Sequence, residues 1–229
     1  MFKYVDKFKY LVDKFFINCY VMIREGFMVF EACTGCYEDV VRAEANGANR
    51  IELCDNLMEG GTTPSYGTIK KTIENINLPI NVIIRPRGGN FIYSNVEKEI
   101  MYIDIEMCKN LGVNAIVIGA LTKSGKIDSD FIKKVKEVSG DLNITFHMAF
   151  DEVMDKKSAI DELVELGIDR ILTKGGDISA LNNLDTLKEL IEYAGDRIII
   201  IPGAGINKGN RDLVIEKTKA KEIHGTKIV

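Results

Sequence analysis

Short apolar runs rich in β-branched residues recur along the chain at Val29–Cys33, Arg50–Cys54, Ile80–Arg85, Ala115–Gly119, Asn143–Met148, Asp169–Thr173, Arg197–Pro202 and Lys221–Gly225. Each reads as a strand. Their starts lie 21 to 35 residues apart, which leaves room every time for one helix and two loops. The segments between them change to helical spacing. Val40, Val41 and Ala45 mark one apolar helix face; so do Ile69, Ile73 and Ile76, then Ile105, Cys108 and Leu111, then Ile160, Leu163 and Leu166. Four joints repeat a glycine, a short turn and a strand: Gly47-Ala48-Asn49-Arg50-Ile51, Gly112-Val113-Asn114-Ala115-Ile116, Gly167-Ile168-Asp169-Arg170-Ile171 and Gly195-Asp196-Arg197-Ile198. Glycine stops a helix there because the left-handed conformation costs it no Cβ clash.

Eight strand–helix units with a weak internal repeat predict an α/β fold, a (β/α)8 TIM barrel. The competing open, doubly wound sheet calls for a Gly-x-Gly-x-x-Gly turn after the first strand, and the chain has none. No organic cofactor is indicated. The last run ends four residues before Val229, so the barrel is expected to lack its eighth helix, either because the sequence is truncated there or because the N-terminal segment or a partner subunit takes its place.

Composition sets residues 1–27 apart from the barrel domain, 28–229. The first 27 residues hold eight of the eighteen aromatics, and Tyr4, Phe8, Leu11, Phe15 and Cys19 recur three or four apart. The segment reads as an amphipathic helical extension. Lys7, Asp13 and Lys14 interrupt any bilayer-length apolar run, so it spans no membrane. It is read as a docking or membrane-surface helix, as a helix packed on the domain, or as upstream translation of a protein that starts at Met28; the last is preferred because the first strand begins at Val29.

The chain carries 30 basic and 34 acidic residues, a net charge of −4. Removing the five basic and three acidic residues of the extension leaves 25 against 31, a net charge of −6 for the domain. Such a field holds neither nucleic acid nor an anionic membrane, so the expected partner is a small molecule or ion. Five cysteines, Cys19, Cys33, Cys36, Cys54 and Cys108, form no zinc-knuckle spacing and no even disulfide set. A reducing cytoplasmic location fits them.

In a barrel the chemistry sits at the C-terminal strand ends. The first two strands end in Glu31-Ala32-Cys33 and Glu52-Leu53-Cys54. Alternation puts Glu31 and Cys33 on one face and Glu52 and Cys54 on one face, leaving Ala32, Ile51 and Leu53 to the helix layer. Adjacent strands would thus gather two carboxylates, which need partners when buried, and two thiols, which suit Cu(I) or, with further ligands, zinc. The alternative is that both cysteines are small core residues. The third strand ends in Arg85-Pro86-Arg87-Gly88-Gly89, an anion-binding pattern unless one arginine pairs with Glu31 or Glu52. The fifth places Thr145 and His147 on one face, and the only other histidine, His224, closes the eighth. His147 is a candidate general base, metal ligand or donor. Gly175-Gly176 and Gly203-Ala204-Gly205 follow the sixth and seventh strands, where barrels bind phosphate or simply turn.

The runs Arg50-Ile51-Glu52-Leu53-Cys54-Asp55-Asn56 and Glu59-Gly60-Gly61-Thr62-Thr63-Pro64-Ser65 resemble the CutC copper homeostasis family. So do Ile84-Arg85-Pro86-Arg87-Gly88-Gly89, Phe146-His147 with Ala149-Phe150-Asp151, Arg170-Ile171-Leu172-Thr173 and Glu222-Ile223-His224-Gly225, in order from Val29 to Gly225. The resemblance implies a cytoplasmic TIM barrel, a homodimer, with Cu(I) held by the strand-end cysteines at positions 33 and 54. The chain departs from that pattern at Met148 (usually arginine), Lys174 (usually small) and Ala204 (usually glycine).

Two functions follow. One is copper homeostasis by Cu(I) binding at Cys33 and Cys54. The other is a barrel lyase, isomerase or hydrolase acting on a small phosphorylated or carboxylated metabolite, with Glu31, Glu52 and His147 in acid–base roles. Its anion site would use Arg85, Arg87, Gly175, Gly176, Gly203 and Gly205. Sulfurs of Cys33 and Cys54 more than about 5 Å apart would exclude a shared ion, taking about 2.3 Å for each thiolate bond.

Overall fold

A computed structural model describes Met28–Val229. The amphipathic extension expected over residues 1–27 lies outside the described residues. Strands and helices alternate as β1 (Val29–Thr34), α1 (Tyr37–Ala45), β2 (Arg50–Leu53), α2 (Tyr66–Asn75), β3 (Ile80–Ile83) and α3 (Asn95–Leu111). They continue as β4 (Ala115–Ile118), α4 (Ser129–Ser139), β5 (Asn143–Phe146), α5 (Lys156–Glu165), β6 (Arg170–Thr173), α6 (Leu184–Ala194), β7 (Ile199–Pro202), α7 (Arg211–Thr218) and β8 (Glu222–Gly225). No helix follows β8 among the described residues.

All seven ladders are parallel, in the order β7-β6-β5-β4-β3-β2-β1-β8. β7 and β8 lie side by side without a ladder between them, so the eight strands form a barrel closed except at that seam. This is the TIM-barrel architecture that the repeat predicts.

Each strand has two inner environments, which explains its short apolar sequence. Ala32, Ile51, Leu53, Val82, Ile116, Ile144, Ile171, Ile200 and Ile223 pack outward against Val40, Ile69, Ile105, Ile132, Ile160, Leu187 and Val214 of the helices. The other face points to the barrel axis. Helix α1 differs from its expected face: Val40 and Ala43 are buried, whereas Val41 and Ala45 are exposed. Spacings of three and four within one short helix leave two possible stripes, and the strand beneath selects one.

Every strand but β1 is shorter than its apolar run by one or two residues, and β3 and β7 show how. The Ile84 N–H still bonds Val117 O, but the next N–H, from Arg85, turns to Thr63 Oγ1 and takes the chain out of β3. The Arg197 N–H bonds Ala194 O, holding that residue to the end of α6 rather than the start of β7. Helix starts are capped by side chains at Ser65, Ser94, Asp128 and Asp155, with a full capping box between Ser94 and Glu97.

Candidate metal and ligand site at the C-terminal mouth of the barrel

The barrel floor is a chain of charges. Glu31 of β1 lies opposite Arg50 of β2 on one side and His224 of β8 on the other. The Arg50 guanidinium bridges Glu31 and Glu222, and Arg170 Nε donates to Glu222 at 3.0 Å. Asn81 Nδ2 donates to Glu31 at 3.0 Å and is held in turn by Asn114 at 2.8 Å. His224 places Nδ1 2.9 Å from Glu31 and Nε2 3.3 Å from Glu52. Burial alone would raise the Glu31 carboxyl; the His224 hydrogen bond and the Arg50 charge more than offset this and leave it at about 2. Burial, with the Cys33 charge behind it, pushes Glu52 well up. Burial works against the His224 cation, but the Glu52 charge and bonds to Cys33 and Glu31 raise it well above the usual histidine range.

Just above this floor the thiols meet. Cys33 faces Glu52 across the β1–β2 ladder, and the Cys54 N–H bonds Thr34 O, one step further toward the mouth. Cys33 Sγ and Cys54 Sγ are 4.0 Å apart. With a Glu52 oxygen they form a group whose donor atoms all lie within 4.8 Å of one another. Gly61, at φ +89°, brings its loop over the pair: a Cβ there would lie 3.4 Å from Cys54 Sγ and 3.1 Å from Ile83. The hydrogen bond from Cys54 lowers the Cys33 thiol far below its usual value; burial opposes this and His224 assists it. The same bond, then burial, raises Cys54. The shared bond thus favours loss of the Cys33 proton over that of Cys54. Two sulfurs each about 2.3 Å from a shared ion stand about 4 Å apart at a bond angle near 120°, leaving a third position for Glu52. The donor set fits a soft, three-coordinate ion.

The mouth encloses a cavity of about 400 Å³ lined by Cys33, Glu52, Cys54, Arg85, His147 and His224, and by Leu57, Ile83, Phe91, Met148 and Leu172. Arg85 is buried and gives its terminal nitrogens to the carbonyls of Glu59, Gly61 and Gly89, at 2.7 to 2.9 Å. Arg87 lies outside the cavity lining. It pairs with Glu97 and donates to the carbonyls of Gly88, Asn90 and Ile92. His147 is buried, its Nδ1 accepting the Ala149 N–H at 3.2 Å and its Nε2 meeting no partner. Burial, with the Arg85 charge added, lowers it to about 3.

The glycine loops are separated by the structure. Gly175 donates to Thr173 Oγ1, while Asp151 accepts from the Thr173 hydroxyl and the Lys174 N–H. Gly175 and Gly176 do not reach the cavity. The Gly203 N–H bonds Thr173 O, and Ala204 with Gly205 lines the cavity wall.

Residues of the site that escaped the sequence reading include Arg50, Asn81, Asn114, Arg170 and Glu222 of the floor, and Phe91 of the mouth. Arg50 and Glu222 share the inward alternation of Glu52 and His224, and that signal is present in the sequence. Phe91 stands in an irregular loop where no period applies.

The sequence profile of the CutC family matches residues 28–229. The family protein CutC of Enterococcus faecalis is 46% identical over 209 residues, covering 88% of this chain and 100% of that protein. A human copper homeostasis protein cutC homolog is 44% identical over 199 residues, covering 87% of this chain and 72% of the relative. A crystal structure of CutC from Streptococcus agalactiae superposes with a TM-score of 0.85 at 39% identity, spanning 89% of this chain and 100% of that one.

Proposed function

The chain belongs to the CutC family, and from that premise we propose that it binds Cu(I) as cargo in copper homeostasis, through Cys33 and Cys54. The observation that carries this reading is the 4.0 Å sulfur pair with Glu52 beside it. The bond to Cys54 and the His224 ring favour the thiolate form of Cys33, which is the soft donor a Cu(I) ion takes. His224, held from below by Glu31, favours negative charge on Cys33. A copper-homeostasis name on the human relative supports the same reading. In it the protein works in the reducing cytoplasm as a homodimer, which cell fractionation and sedimentation equilibrium test. No helix of the described residues is long and apolar enough to cross a membrane.

The test is an anaerobic titration of reduced protein with Cu(I) against a chromophoric chelator. Wild type is expected to hold one ion per chain, and Cys33→Ala/Cys54→Ala to lose at least about 100-fold in affinity. Loss of outer-shell partners alone costs 10- to 100-fold, so loss of two ligands sets that as a floor. Equal affinity in a folded double variant would sink the thiolate site.

A further inference from the structure

Two features of the mouth are not used by a thiolate site. Arg85 is 4% exposed yet pairs with no carboxylate among the described residues; its partners are three carbonyls, which carry no net charge. His147, also 4% exposed, has an Nε2 with no acceptor. Because Nδ1 accepts the Ala149 N–H and the ring is neutral, the proton sits on Nε2, an orphaned donor. A buried cation without a counterion and a buried donor without an acceptor are each costly, and both belong to one cavity wall. Phe91 ties them together: its ring centroid is 4.8 Å from that of His147 and 5.0 Å from Arg85 Cζ. Phe91 is partly exposed, so its ring can yield to an entering group.

We propose that the mouth binds a small organic carboxylate, whose oxygens accept the His147 Nε2 hydrogen and neutralise Arg85 while its apolar body lies against Phe91, Ile83, Leu172 and Met148. A phosphate fits less well. It calls for a cluster of free N–H donors, and the loop after β6 has already given the Lys174 N–H to Asp151 and the Gly175 N–H to Thr173. One N–H and one delocalised cation suit the two oxygens of a planar carboxylate. The largely apolar lining selects against a highly hydroxylated ligand. This site does not rest on copper binding.

The test uses metal-free, reduced, full-length protein and a probe set of isovalerate, benzoate and phenylacetate, with benzamide as the uncharged control and inorganic phosphate as the competing anion. The chain has two histidines, so ring ¹⁵N NMR reads His147 directly and His147→Asn assigns its signal. At least one carboxylate is expected to saturate at millimolar concentration with a shift of the His147 Nε2 resonance. Binding should weaken at least about tenfold in His147→Asn, since a lost hydrogen bond to a charged group costs about that much; asparagine retains an acceptor for the Ala149 N–H. Arg85→Gln should abolish binding if it folds; if it does not, His147→Asn decides alone. The proposal is overturned if no carboxylate binds up to on the order of 10 mM, if benzamide or phosphate binds as well as benzoate, or if His147→Asn binds unchanged. None of these results bears on the Cu(I) titration.

Discussion

Arg50 joins two carboxylates, Glu31 and Glu222, and all three side chains are buried. Replacing a whole buried ion group with apolar residues is often harmless, but removing one member strands the others. Arg50→Met is therefore expected to destabilise the fold by about 3–5 kcal/mol, measured by urea denaturation. A change below about 1 kcal/mol would show that the carboxylates find another cation. The inward placement of Glu31, Cys33, Glu52, Cys54 and His224 was legible because side-chain alternation is a property of each strand alone. Who pairs with whom was not. The sequence suggests Arg85 or Arg87 as partners for the glutamates, since they stand at strand ends. The β1–β2 register sets Glu31 beside Arg50, at the beginning of β2. Register is a relation between strands, and it leaves no mark inside either one.

The loop between β7 and α7 carries a cost in its own backbone. Ala204 stands at φ +69° between Gly203 and Gly205. The left-handed conformation costs a residue with a Cβ about 1–2 kcal/mol, offset by the about 0.4–1 kcal/mol of extra freedom glycine has when unfolded. Ala204→Gly is expected to raise stability by about 0.5–1 kcal/mol net, seen as a rise in Tm of about 1–3 °C. A lower Tm would mean that the Ala204 methyl contributes packing to the cavity wall. Elements themselves were legible in proportion to what they bury. β-Branched runs located all eight strands, and α3, with Met101, Ile105 and Cys108 beneath it, announced its period. Helix α7 buries only Val214 and Thr218, too little to show a stripe, so only the space between two strands marked it.

At the scale of the molecule, the repeat counts the units but does not say how the ring closes. Among the described residues β7 is paired only with β6, and β8 only with β1. Amides facing that seam lack the ladder that protects those of β2 and β3. Hydrogen exchange followed by mass spectrometry is expected to show peptides spanning 199–202 and 222–225 exchanging faster than those spanning 50–53 and 80–83. The reverse order would mean that the seam is laddered in solution. The interior has a consequence of another kind, for how such a chain can change over generations. Ile51 and Leu53 answer only to volume and shape, so one aliphatic residue can stand in for another with little loss. Arg50 and Glu52, their immediate neighbours, belong to a circuit that runs through Glu31, His224 and Glu222, and none of its members can be exchanged unless others change with it. Descent would therefore leave a two-residue rhythm on the strands, with drift at one position and constancy at the next.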